Sequence, residues 1–266
     1  MAAALNEGVV TPETTETFGN SVVVDGWTIN TAQNKAFGKE TMTQVLENSD
    51  NVAMVWVTEK LGREKYFDYL TKFGFDAKTG VDLQGEADPK LLPLKDWRPI
   101  NLATLSFGQG IALTPLQLTA AYAALGNSGK LFWPHLVTAF RTPDGEERRV
   151  DPKEVRTIIS SEVSDKITAM LVSVVENGHG KRARVAGYKV AGKTGTAQVP
   201  SPDGGYDESK HVGSFCGYAP VPNPLFAMCV KLDTPRNVDW AEASAAPVWG
   251  EIAGWILARY GVPSSE

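Results

Sequence analysis

The sequence has no excess of positive charge: 26 Lys and Arg stand against 31 Asp and Glu, a net charge of -5. A general nucleic-acid binder needs the opposite balance, so that class is set aside. No apolar run reaches the roughly 18 residues of a membrane span. Two cysteines, Cys216 and Cys229, are too few for a zinc site or a disulfide framework. Three histidines, His135, His179 and His211, are scattered without ligand spacing. They are expected on loops or the surface, with no metal and no cofactor. There is no internal repeat or low-complexity tract, and no charged segment leads a long apolar stretch as in a signal peptide. The remaining composition, 42% hydrophobic and 21% charged over 266 residues, is ordinary for a globular chain. It suffices for a full-sized core, in one large domain or two small ones.

The two ends differ. Met1 to Gly8 reads as the last turns of a helix stopped by glycine, and the chain is expected to begin inside an element of a longer protein. Ala245 to Tyr260 reads as a helix, with Pro247 near its start and Gly261 past its end. Val248, Ile252, Trp255 and Ile256 fall at helical spacing and form one apolar face.

Between them, Val9 to Lys39 reads as loops and short strands. Glu40 to about Asn127 is helical, with Val52, Val55 and Trp56 on one face, and Tyr66, Leu70 and Phe73 on another before Gly74. Thr114-Pro115 is a cap followed by proline at the first helical position, with Leu116, Ala120, Ala123 and Ala124 on one face. Short strands are expected around Pro143-Asp144-Gly145, then a long helix over about Ser161 to Asn177. Tyr188 to Gln198, Val212 to Ala219 and Leu225 to Leu232 read as strands, the last two joined through Pro220 to Pro224 as a hairpin. This order predicts an α+β domain: an antiparallel sheet flanked by helices, with an inserted all-helical lobe.

Two short motifs carry chemistry. In Lys193-Thr194-Gly195-Thr196, strand periodicity puts Lys193 and Gly195 on one face, so the glycine leaves room beside the ammonium. Thr194 and Thr196 add hydroxyls, and an edge strand has free N–H groups able to hold an oxyanion. The plain alternative is a surface lysine in a bulged strand. In Ser49-Asp50-Asn51, at a helix junction, a hydroxyl could relay a proton and an amide could hold a carbonyl. These are also the usual N-cap residues, and a Ser-x-Asn match arises by chance in roughly half of chains this long.

Taken together, and in this order, Ser49-Asp50-Asn51 and Lys193-Thr194-Gly195 resemble the transpeptidase domain of class B penicillin-binding proteins, which share a fold with serine β-lactamases. Phe73-Gly74-Phe75, Thr79-Gly80-Val81-Asp82-Leu83 and Gly85-Glu86 extend the resemblance. So do Phe107-Gly108-Gln109-Gly110, Thr114-Pro115-Leu116-Gln117-Leu118, Val190-Ala191-Gly192, Phe215-x-Gly217-x-Ala219-Pro220 and Ala245-Ala246-Pro247-Val248. It covers nearly the whole chain. One departure stands out: no serine here has a lysine three residues later, although the family nucleophile heads a Ser-x-x-Lys. Met1 to Gly8 resembles the stretch that follows that motif, so the nucleophile is expected roughly seven residues before Met1, the alternative being a relative that has lost it.

The resemblance implies one domain over 1–266, incomplete at its N-terminus, with a helical lobe over about 40–130 and a sheet-containing lobe from 1–39 plus 131–266. It implies a serine acyl-enzyme that cross-links peptidoglycan stem peptides, with this chain alone inactive. Catalytic roles fall to Ser49, Asn51 and Lys193, and substrate binding to Thr194, Gly195 and Thr196. Asp50 is expected to be a structural cap. β-Lactams would acylate the same upstream serine. The implied setting is the outer face of the bacterial cytoplasmic membrane, with an upstream membrane anchor and a cell-wall synthesis complex serving division or cell shape. A β-lactamase or β-lactam sensor of the same fold, and a non-catalytic cell-wall scaffold, remain as alternatives.

Two further expectations are local. The polar segment Pro200 to Lys210 should be a mobile loop beside the site. Cys216 and Cys229 flank Pro222 by six and seven residues and are candidate cross-strand neighbours. A five-residue loop does not set the register, and both are expected to be reduced.

Overall fold

The computed structural model describes residues 1–201, 205–238 and 240–264. The central layer is a three-stranded antiparallel sheet in the order β11-β10-β9, built from β9 (Ala191–Pro200), β10 (Tyr206–Ala219) and β11 (Phe226–Asp233). One face carries α6 (Pro115–Gly126) and α7 (Ser161–Glu176), and the other carries α8 (Ala245–Arg259). The expected antiparallel sheet flanked by helices is therefore present.

Short two-stranded ribbons precede and follow the helical region. β1 (Thr15–Phe18) pairs with β4 (Gly38–Thr41), and β2 (Ser21–Val24) pairs with β3 (Trp27–Asn30). β5 (Lys130–Phe132) pairs with β8 (Glu154–Thr157), and β6 (Ala139–Arg141) pairs with β7 (Glu147–Arg149) around the expected turn. The chain opens on α1 (Ala2–Asn6), and Gly8 follows it at φ 67, the left-handed stop that the sequence predicts.

The helical region holds α2 (Met42–Asn48), α3 (Asn51–Leu61), α4 (Arg63–Lys72) and α5 (Pro99–Ser106). Several starts have a local cause. Thr41 and Gln44 form a reciprocal capping box on α2, and Thr114 and Gln117 form another on α6, where Pro115 fills the first position. Ser160 caps α7, whose Val163, Ile167, Met170, Leu171 and Val174 are all buried as the periodicity predicts. Long-range polar contacts fix the loops. Gln117 Nε2 donates to Gly74 O at 3.2 Å and Ala77 O at 2.8 Å, which ties two of the marker segments together. Glu86 accepts from the N–H groups of Thr79 and Gly80, and Asp82 from those of Leu136 and Val137.

Four expectations are corrected. Cys216 and Cys229 form a disulfide, because β10 and β11 pair with these residues directly opposite one another, Cα to Cα 4.1 Å. On α8 the expected apolar face is turned outward: Val248 is 37%, Ile252 39% and Trp255 67% exposed. The buried face is Ala245, Ala246, Trp249, Gly250, Ala253 and Leu257, with Gly250 against Arg182 and Ala183. Small residues win there because the helix lies close to the strands, leaving one large pocket for Trp249 against Phe215 and Phe226. On α6 the buried positions are Gln117, Ala121 and Ala124, one residue around from the expected stripe. Finally, the expected loop over Pro200 to Lys210 is mostly strand, since β9 runs to Pro200 and β10 begins at Tyr206. Residues 202–204 of that segment lie outside the described residues.

Candidate active site

A cleft of about 600 Å³ opens between the end of α2, the start of α3 and the exposed edge of β9. All six residues singled out from the motifs line it: Ser49, Asn51, Lys193, Thr194, Gly195 and Thr196.

Ser49 is placed by the way α2 ends. Its N–H donates to Leu46 O, and the Asp50 N–H reaches back to Val45 O, so the helix closes with Ser49 in the left-handed region at φ 55, ψ 45. Glycine is the usual occupant of that position, and a residue with a Cβ sits there at a cost of ~1–3 kcal/mol. Asp50, fully buried, accepts from Ala53 N at 3.0 Å and caps α3, the structural part expected for it. Asn51 opens α3, its Nδ2 donating to Asn30 O at 3.3 Å.

Lys193 comes from the other side. Its Nζ donates to Ser49 Oγ at 2.9 Å and to Thr194 O at 3.2 Å, joining motifs 144 positions apart. Burial takes the ammonium out of water and pulls its pKa down to about 8. On the opposite face, Gly192 has no room for a side chain, since a Cβ would lie 2.4 Å from the Phe215 ring.

Strand alternation sets the backbone donors. Cys216 and Cys229 are close enough to be a non-hydrogen-bonded pair, so Cys216 turns its backbone groups toward Lys193, its partner on β9. By alternation, Thr194 and Thr196 turn theirs to the free edge, which no strand covers among the described residues. The bond from Lys193 to Thr194 O lies on that edge. The Thr196 N–H points the same way, while its hydroxyl accepts from Ala241 N at 3.0 Å.

The walls hold residues that motif reasoning missed. Phe37, Phe107 and Trp240 are apolar. His179 and Glu242 pair at 2.7 Å across the rim. His179 N–H also donates to Glu47 O, anchoring the turn after α7 to α2. Only Phe107 lay in a marker segment; the others come from turns with no motif of their own. Among the described residues there is no group of three His, Cys, Asp or Glu able to hold a metal ion.

The sequence model of the penicillin binding protein transpeptidase domain matches residues 1–254. Stage V sporulation protein D of Bacillus subtilis is 38% identical over 98% of this chain and 41% of its own length. Penicillin-binding protein PbpB of Mycobacterium tuberculosis is 35% identical over 99% of this chain and 40% of its own. The chain thus spans about two fifths of the length of these curated relatives. Among solved structures, penicillin binding protein 3 from Mycobacterium tuberculosis complexed with aztreonam superposes with a TM-score of 0.92 at 33% identity, covering 100% of this chain and 61% of that one. The transpeptidase domain of penicillin-binding protein 3 from Burkholderia pseudomallei gives 0.88 at 32%, covering 100% and 78%.

Proposed function

The chain belongs to the penicillin-binding protein transpeptidase family, and on that premise we propose that it carries the substrate-binding and proton-relay half of a peptidoglycan D,D-transpeptidase site. The observation that carries the reading is the 2.9 Å bond from Lys193 to Ser49, with the open edge of β9 beside it.

The reaction is acyl transfer between stem peptides. A serine heading a Ser-x-x-Lys, in a segment upstream of Met1, loses its proton to that lysine and attacks the carbonyl of the penultimate D-Ala. The new C–O bond forms as the C–N bond to the terminal D-Ala breaks. Ser49 passes a proton to the leaving amine. An amine from a second strand then takes the acyl group and releases the serine. Asn51 holds the acyl-side amide. Lys193 orients Ser49 and, with Thr194 and Thr196, attracts the terminal carboxylate. Gly195 leaves room for the substrate beside the strand. The Thr196 N–H is half of the oxyanion hole, and the nucleophile's own N–H is the other half.

β-Lactams enter the same cleft and acylate the upstream serine; aztreonam and ampicillin are bound in structures of the mycobacterial relative. The setting that follows is the outer face of the cytoplasmic membrane, with an upstream anchor and cell-wall synthesis partners. The disulfide supports it, since such bonds persist in oxidising compartments.

The test is labelling with a fluorescent penicillin, followed by denaturing electrophoresis. This chain should stay unlabelled, and the same chain extended upstream through the Ser-x-x-Lys should be labelled on that serine. Labelling of any serine within residues 1–266 would overturn the assignment of the nucleophile. Rapid turnover of the β-lactam by the extended protein would favour a β-lactamase, and no acylation at all would favour a scaffold.

A further inference from the structure

Glu40 and Asp50 stand at opposite ends of α2, one on β4 before it and one in the turn after it. Both are buried: Glu40 is 2% exposed and Asp50 0%. Each carboxyl has one satisfied oxygen. Glu40 Oε1 accepts from Asn48 Nδ2 at 2.7 Å, and Asp50 Oδ1 accepts from Ala53 N at 3.0 Å. Each also has one buried oxygen with no donor, Glu40 Oε2 and Asp50 Oδ2. Asp50 lies near enough to Glu40 to raise its pKa, through a side-chain hydrogen bond and through charge. Two ionised carboxylates would leave both orphan oxygens unpaired and two like charges side by side out of water. A proton kept on Glu40 and donated to Asp50 removes both penalties.

We propose that Glu40 keeps its proton and donates it to Asp50, and that this bond is a positioning device that holds Ser49 in its left-handed turn facing Lys193. Ser49 immediately precedes Asp50, so the pair fastens the C-terminal end of α2 to the strand that enters it. Burial pushes the Glu40 carboxyl up to about 7, with the Asp50 contact and the charge of Glu47 acting in the same direction. The groups facing Glu40 are Asp50, Glu47 and Asn48, with the exposed Glu16 opposite it on β1. Lys193 is turned to Ser49 and Thr194 instead. The proton bond rests on the structure alone. Its consequence for acyl transfer also rests on the function proposed above.

The sign follows from linkage. A carboxyl whose folded pKa is raised from 4.5 to about 7 contributes stability that is complete below about pH 4.5 and is lost as pH rises to about 7. Glu40→Gln carries a fixed amide donor in place of the proton. In denaturant titrations of this chain, the unfolding constant of the unchanged protein should rise against that of Glu40→Gln. The rise should approach about tenfold per pH unit between about pH 4.5 and 7, and stop above. A ratio that does not change with pH overturns the proton retained on Glu40.

If Glu40→Gln fails to fold, carboxyl carbon NMR of the unchanged chain decides. The Glu40 carboxyl should still be largely protonated near pH 6, and its ionisation by then overturns the proposal. In the extended protein, acylation by a fluorescent penicillin should fall through about pH 7 in the unchanged sequence and not in Glu40→Gln. The same pH profile in both denies the positioning part. Absence of acylation at every pH would count against the proposed function, while the stability ratio would still judge the carboxyl pair.

Discussion

Lys193 is the residue on which most of the proposed chemistry converges, and its environment makes two predictions. In the extended protein, Lys193→Ala removes an ammonium that meets both Ser49 and the approaching carboxylate. Losing such a donor costs ~3 kcal/mol or more, so acylation should slow at least about a hundredfold. Stopped-flow acylation would check it, and a rate within about threefold of the parent would remove Lys193 from the mechanism. The second concerns pH. With the ammonium pulled down to about 8 by burial, carboxylate attraction is present below that value and lost above it. The acylation rate of Glu40→Gln, free of the step near pH 7, should therefore show a single alkaline limb centred at about 8. A flat profile to pH 10 would contradict this.

At the scale of elements, the disulfide between β10 and β11 does two things. It locks the register of β10 against β11, with Cys216 opposite Cys229, and it closes a loop of the unfolded chain. For a separation of 13 residues, loop closure alone is worth ~3 kcal/mol. Denaturant unfolding with and without reductant should differ by about that amount, and coincident curves would show the bond to be energetically idle. The register itself was hidden in the sequence. Cys216 and Cys229 were candidate neighbours only, because side-chain alternation restricts a hairpin to one face but not to one partner. The α8 face was hidden for another reason. Val248, Ile252 and Trp255 are the more hydrophobic stripe, yet close approach to the sheet selected Ala245, Ala246 and Ala253, and close approach to Arg182 and Ala183 selected Gly250. Counting apolar residues ranks bulk, whereas a tight helix–sheet contact ranks smallness.

Across the whole molecule, the cleft depends on α2 being seated on α7. Gly178, just past α7, lies against the backbone of Glu47, where a Cβ would come within 2.5 Å of the carbonyl oxygen. Neither partner is the flexible end of a side chain, so Gly178→Ala must shift α2, and with it Ser49. The expected loss is ~1–3 kcal/mol of stability, as for other overpacked contacts. Acylation by the extended protein should fall with it under conditions where the variant remains folded. Thermal melts paired with acylation rates would check both. A variant that melts like the parent would mean that this contact has slack.

What the sequence determined by itself is local or carried by motif. The caps at Asp50 and Thr114, the stop at Gly8, the buried stripe of α7 and the proline-rich hairpin all follow from bonds and spacings within a few residues. The six cleft residues were found the same way, as two short motifs in a known order. Only the tertiary structure decided which distant groups meet. The Lys193–Ser49 bond spans 144 positions, and the Glu40–Asp50 pair spans a helix whose sequence shows no sign of an inward carboxylate. His179 and Glu242 close the rim from two unrelated turns. Short-range hydrogen bonds and side-chain period act on neighbours in the chain. Register, close helix packing and the burial that moves protons arise only when separate segments share one core.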